Sequence, residues 1–254
     1  MKNLKIFRIL GISALVLAIS SCSLDPVIHS EVTNYPVMKL KGSATVFVPL
    51  GTTYNDPGVS ATENGTEIAY TSVIGAGKFR NSKTLDTNIV DQYVQTYTAV
   101  NKDGFSNTID RTIIVYKNGD LVNSIEGVYT STTRRNGALL PATQGSSVDQ
   151  KYVYIWKNTD GTYQISDAFG GWYNLGRNIA KSETPGGKIT GNIATNSFTF
   201  PGGPLTNLYF GGVANLSGLT VDATTKTLVV TCDWDSAPPV TKYKFVSTLT
   251  QVQP

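Results

Sequence analysis

The segment ISDAFGGWYNLGR, residues 165–177, crowds three aromatic residues (Phe169, Trp172, Tyr173) among three glycines. Asp167 precedes the rings, and Asn174 and Arg177 follow them. Sugar rings present C–H faces, so proteins that bind them offer flat aromatic surfaces flanked by hydrogen-bonding groups. The segment holds those ingredients. NLYFGGVANL repeats the theme, with Tyr209 and Phe210 ahead of Gly211-Gly212. Asp167, Phe169, Trp172, Tyr173, Arg177, Tyr209 and Phe210 are therefore the candidate ligand contacts. A plainer reading stands beside this one. A small β-barrel needs large residues inside, and double glycines mark corners or bulges. If the backbone is extended, Trp172 and Tyr173 point to opposite faces, and only one of them reaches solvent.

Covalent chemistry has little to work with. The chain has one histidine, His29, in what reads as a tether. Ser-His-Asp and Cys-His sites, and most zinc sites, need a histidine in the folded part. A glycosidase needs two acids about 5–9.5 Å apart. The acids of the C-terminal part (Glu126, Asp149, Asp160, Asp167, Glu183, Asp222, Asp233, Asp235) fall mostly in turns, spacing alone cannot pair them across strands, and Asp233 and Asp235 share a strand face about Trp234 with no acid/base context. The expectation is a protein that is not an enzyme and carries no cofactor or metal. Asp56-Pro57-Gly58 reads as turn chemistry, not as a cation loop. In TLVVTCDW, Leu228, Val230, Cys232 and Trp234 alternate with Val229, Thr231 and Asp233. That spacing puts Cys232 on an apolar strand face as an inert thiol.

The N-terminus supplies an address. Lys2, Lys5 and Arg8 precede an apolar run from Ile9 to Ile19, and Ser20-Ser21-Cys22 follows. This order is an export signal, too short for a membrane span. Its end resembles a bacterial lipobox, with the Cys22 thiol as the site of lipidation. Two or more acyl chains hold a protein stably on a membrane. Loss of residues 1–21 leaves 18 basic against 18 acidic residues. No basic surface for nucleic acid is expected. Asp25 is the only acid close after Cys22, a poor match to a surface-export signal, so the sequence leaves open which face of the outer membrane, periplasmic or exterior, the anchored chain occupies.

Beyond the signal (1–21) and a tether (22–36), two β-rich parts are expected, 37–118 and 124–254, divided where Asn118-Gly119-Asp120 interrupts the strand pattern. In the first, Tyr93–Val100 and Thr108–Tyr116 form a hairpin about Asn101–Gly104, and Asn64-Gly65 marks a turn. VPLGTTYNDPGVSATENG and YVQTYTAVNKDGFSNTIDRTIIVY closely resemble the bacterial immunoglobulin-like domains of cell-surface proteins, with their GxxYxDPGVxA and YxVxYxAxNxxGxxxxxxRxVxV motifs. Gln95 departs from the pattern, which usually has an apolar residue there. The resemblance implies a β-sandwich that acts as spacer or interaction module.

The second part contains eight or nine short strands with hairpin-length links. One hairpin turns about Asn158–Gly161, with Tyr152, Tyr154 and Trp156 on one face. The expected fold is a small antiparallel barrel or barrel-like meander, with an open sandwich as the alternative. The whole arrangement resembles a Bacteroidetes two-domain lipoprotein family of undefined function, whose relatives accompany outer-membrane glycan-uptake systems. That resemblance implies a membrane-anchored accessory with polysaccharide or an outer-membrane transporter as partner. A structural or adhesin-like subunit and a barrel for lipid or another apolar ligand are the alternatives. Asp235-Ser236-Ala237 also matches the short O-glycosylation pattern of that phylum, at Ser236.

Overall fold

The computed structural model describes residues 32–140 and 149–253. Residues 1–31, with Cys22, lie outside it. Among the described residues the fold is almost wholly β, and its one helical element is a single π-turn at Trp172–Gly176.

The N-terminal domain is a two-sheet sandwich. Strands β1 (Val37–Leu40), β3 (Val59–Glu63) and β4 (Thr66–Glu67) form one sheet. Strands β2 (Thr45–Pro49), β5 (Tyr70–Ile74), β6 (Asp91–Val100) and β7 (Ser106–Tyr116) form the other, in the order β2-β7-β6-β5. Alternation decides the core. Asp91, Tyr93, Gln95, Tyr97 and Ala99 of β6 all point inward, as period-two geometry requires. Asn64 and Gly65 both have positive φ, the signature of the tight hairpin turn that matches strand twist.

A polar network runs through this core. The buried Arg111 guanidinium donates to the carbonyls of Ser43, Lys41 and Gly58 at 2.8–2.9 Å and to the Tyr97 hydroxyl at 3.2 Å. Asp56 accepts from the Gly58 amide at 2.8 Å, from Gln95 Nε2 at 2.8 Å, and from the Tyr97 hydroxyl. The Tyr54 hydroxyl donates to Gln95 Oε1 at 2.7 Å. Asp56 is thus committed to its turn and the strands behind it. Gln95 stands where an apolar residue is usual because its amide ties Asp56 to Tyr54.

The C-terminal domain is one antiparallel sheet. Its strands are β8 (Gly127–Arg135), β9 (Ala138–Leu139), β10 (Gln150–Lys157), β11 (Tyr163–Ile165), β12 (Gly186–Asn192), β13 (Ser197–Thr199), β14 (Leu205–Asn207), β15 (Gly211–Asp222), β16 (Thr227–Asp235) and β17 (Lys242–Gln251). The order is β13-β12-β11-β10-β8-β17-β16-β15-β14, with β9 beside β8. The sheet curls into a half-barrel whose end strands, β13 and β14, do not pair. Full closure was one way to bury the inner face. Here the link between β11 and β12 does that work, laying Phe169, Trp172 and Tyr173 into the core. Cys232 is fully buried on β16 beside Leu228, Val230 and Trp234, and burial pushes its thiol pKa up.

The two domains share a core of their own. Tyr154 and Trp156 pack with Val90 and Ile114 of the sandwich, and Phe47, Phe79 and Tyr152 close around them. The face shared by Tyr152, Tyr154 and Trp156 is therefore the domain interface. Lys78 and Glu183 bridge the domains at 2.5 Å, and the Tyr154 hydroxyl donates to Gln92 Oε1 at 3.1 Å.

Candidate functional site

The link after β11 begins with an aspartate turn. Asp167 Oδ1 accepts from the amides of Phe169 at 2.9 Å and Thr184 at 3.2 Å. Gly170 and Gly171 then take positive φ (63° and 87°), a region glycine enters without steric cost. The chain winds into the π-turn, closed by the Gly176 amide on the Gly171 carbonyl at 2.8 Å. This backbone is wound, not extended, so Trp172 and Tyr173 do not diverge to opposite faces. Both rings enter the core.

That geometry corrects four of the candidate contacts. Relative exposure is 3% for Asp167, 0% for Phe169, 3% for Trp172 and 5% for Tyr173. Phe169 stacks on Phe245 with centroids 4.2 Å apart, and Trp172 meets the same ring edge-on at 6.1 Å. Rings covered on both faces offer no platform to a sugar. Burial also pushes the Asp167 carboxyl up to about 7, with nearby Glu183 adding to the shift. Asp167 Oδ2 and Trp172 Nε1 are buried with no hydrogen-bond partner among the described residues.

The remaining candidates lie at the surface. The two aromatic-glycine corners meet: Tyr173 and Phe210 centroids are 4.7 Å apart. Phe210 is half-buried and holds Tyr209 edge-on at 4.8 Å. Tyr209 itself is 63% exposed. Arg177 is exposed, and its charge reaches the Tyr173 hydroxyl. Leu208 and Val213 are exposed on the same corner. Val240 is exposed on the next loop, whose Ala237 lies close against Gly211 and Gly212. Ser236 is half-buried in that loop, and its hydroxyl accepts from the Thr241 amide at 2.9 Å while facing the carbonyls of Ala237 and Pro239.

Sequence reasoning missed the residues that build this corner. Asn207 is the anchor. Its Nδ2 donates to the Ser182 carbonyl at 2.6 Å and to Thr184 Oγ1 at 3.0 Å. Its Oδ1 accepts from the amides of Tyr209 and Phe210 at 3.1 and 2.8 Å. An asparagine directly ahead of an aromatic-glycine run was a readable turn signal. Arg135 is the other: its guanidinium lies over Tyr243 at 4.9 Å and Trp172 at 5.2 Å, and Nη1 donates to the Tyr173 hydroxyl at 2.9 Å. Nothing local to Arg135 marks it, because its partners come from distant strands.

A second concavity, of about 450 Å³, lies between the domains. Thr45, Lys78, Gln92 and Thr112 line it from the sandwich, and Lys151, Tyr152, Tyr154, Asn174, Leu175 and Asn178 from the half-barrel. Among the described residues no group of three or more His, Cys, Asp or Glu side chains is placed to hold a metal ion.

A family model for the C-terminal domain of BT2262-like proteins matches residues 118–251, more than half of the chain. The chain belongs to the BT2262-like family. A second model, the bacterial surface protein Ig-like domain, matches residues 38–115. The fold is similar to the crystal structure of the lipoprotein BT2262 from Bacteroides thetaiotaomicron, with a TM-score of 0.60 at 21% identity. The match covers 85% of this chain and 100% of that one. No curated protein matches the sequence. Membership of the BT2262-like family agrees with the all-β, two-domain reading, and neither family model describes a catalyst.

Proposed function

We propose that this protein is a non-catalytic surface lipoprotein, held on the outer membrane through Cys22, whose half-barrel docks a partner protein of an uptake system. The observation that carries the reading is the apolar corner: Tyr209 exposed on the aromatic base of Phe210 and Tyr173, with Leu208 and Val213 exposed close by in the chain and Val240 on the adjoining loop. Clustered exposed apolar residues on a soluble domain mark interaction surfaces, and a tyrosine on a fixed support makes a strong interface anchor. A sugar platform is less well supported here. The neighbours of Tyr209 are mostly apolar, and Arg135 is already engaged by Tyr173, Trp172 and Tyr243. The lipobox supports the anchor, and so does the likeness to a Bacteroides lipoprotein.

The partner of the expected chemistry is an outer-membrane transporter. Affinity purification of the lipidated protein from detergent-solubilised outer membranes tests this. The transporter should co-purify with the wild type and be lost with a Leu208→Asp/Tyr209→Asp variant of unchanged melting temperature. Equal recovery with both proteins, or no transporter with either after cross-linking, would sink the reading.

A further inference from the structure

We propose that the cleft between the two domains is a binding site for a neutral saccharide. The proposal is independent of the partner-docking corner and uses different residues. Its volume, about 450 Å³, falls in the range of small-molecule sites, roughly 300–1,000 Å³.

The ligand class follows from the lining. Gln92 Oε1 accepts from Tyr154, which leaves both Nε2 protons for a ligand. Asn174 Nδ2 donates to Glu183 Oε1 at 2.7 Å, which leaves Oδ1 as an acceptor. The side chains of Thr45, Thr112 and Asn178 are not hydrogen-bonded within the described residues, and each can both donate and accept. Thr45 and Thr112 are direct partners in the β2–β7 pairing, so the strands hold the two side chains next to each other. Groups that donate and accept at once are the complement of sugar hydroxyls.

Charge excludes a simple anion site. Both lysines already carry carboxylates: Lys78 on Glu183 at 2.5 Å and Lys151 on Asp149 at 3.1 Å. The lining is too polar for a lipid. Two rings line it, and Tyr154 is almost wholly buried, so the ring open to a ligand is Tyr152. It sits where the β10–β8 register breaks between Lys151 and Val153, and bulges of this kind re-aim a side chain. Phe47 holds the ring edge-on at 5.3 Å. A half-buried, braced ring beside hydroxyl and amide groups can take the C–H face of a pyranose. A peptide would need apolar pockets for several side chains, and Leu175 is the one aliphatic residue in this lining.

The experiment follows the side-chain amides of Gln92, Asn174 and Asn178 by 15N-correlated NMR. The probes are maltotriose, cellotriose, mannotriose and xylotriose, with trialanine as the peptide arm. At millimolar concentration at least one sugar should shift these signals and leave Asn215, elsewhere on the half-barrel, unmoved. A Thr45→Val/Thr112→Val variant removes two hydroxyls while keeping shape and strand preference. It should weaken binding by about tenfold, the effect of losing two ordinary hydrogen bonds, with an unchanged melting temperature. Leu208→Asp/Tyr209→Asp should bind the sugar as the wild type does. The proposal falls if no sugar moves the three amides, if trialanine moves them and the sugars do not, or if the double threonine variant binds equally well.

Discussion

Gly170→Ala is expected to destabilise the half-barrel by about 2–4 kcal/mol, and the structure accounts for the size. A Cβ added at Gly170 would lie 2.1 Å from Ser247 Oγ and 2.5 Å from both Ser247 Cβ and Thr133 Oγ1. Thr133 and Ser247 are cross-strand partners on β8 and β17, joined by a 2.9 Å bond between hydroxyls. The backbone of the link therefore rests directly on the sheet floor. Alanine also has to hold a φ of 63°, which costs an L-residue roughly 1–2 kcal/mol. Forcing extra volume into a filled core adds about 1–3 kcal/mol, and reduced freedom of the unfolded chain returns about 0.4–1 kcal/mol. Gly161→Ala is the control. Gly161 has a φ of 83° in the same domain, but nothing lies within 4 Å of its added Cβ, so only the conformational cost remains, about 1 kcal/mol or less net. Urea unfolding followed by tryptophan fluorescence measures both. Trp172 and Trp234 lie in the half-barrel core, and Trp156 lies where that domain meets the sandwich, so the signal reports on the C-terminal domain and on its contact with the other. Equal destabilisation by the two substitutions would refute the close-approach argument.

Three other outcomes follow from buried polar groups. Asp167 has a carboxyl raised from 3.8 to about 7 by burial, so the native state holds a proton that the unfolded chain gives up near pH 4. Its contribution is fully present below that pH and is lost as pH rises toward 7. Chemical denaturation across this window should show the decline, and Asp167→Asn should flatten it; an unchanged pH profile would contradict the assignment. Gln95→Leu restores the residue type usual at that position, yet it strips a partner from both Asp56 and Tyr54. Thermal melting should show a loss of about 1–3 kcal/mol, and a gain in stability would count against the network. Cys232 should resist a thiol reagent in the native protein and react only on unfolding, because burial keeps the thiol protonated and covered; stoichiometric native labelling would contradict this.

Much of the architecture was legible because it is written locally. Alternation in Asp91–Val100 and Thr227–Asp235 marks which residues face a core, and the structure buries those residues. Asn64-Gly65 and Asn158–Gly161 announce their turns. The grouping of Tyr152, Tyr154 and Trp156 on one face was also readable, although not what that face meets. Barrel closure was not legible, since it depends on whether two strands distant in sequence find each other. A plug of aromatic residues satisfies the same need to cover an apolar face.

The aromatic segment at residues 165–177 shows the division most clearly. Its sequence alone determined that glycines would turn the chain and that large rings would need a destination. Only the tertiary structure decided where those rings went. A π-turn rotates Trp172 and Tyr173 to the same side, and Phe245 and Trp234 from distant strands, with Phe210 from the turn ahead of β15, cover them. Burial is a property of neighbours in space. A ring's type and its spacing along the chain are the same whether it faces water or a wall of other rings, so exposure passed to Tyr209, which differs from the buried Tyr173 in its surroundings and not in its chemistry.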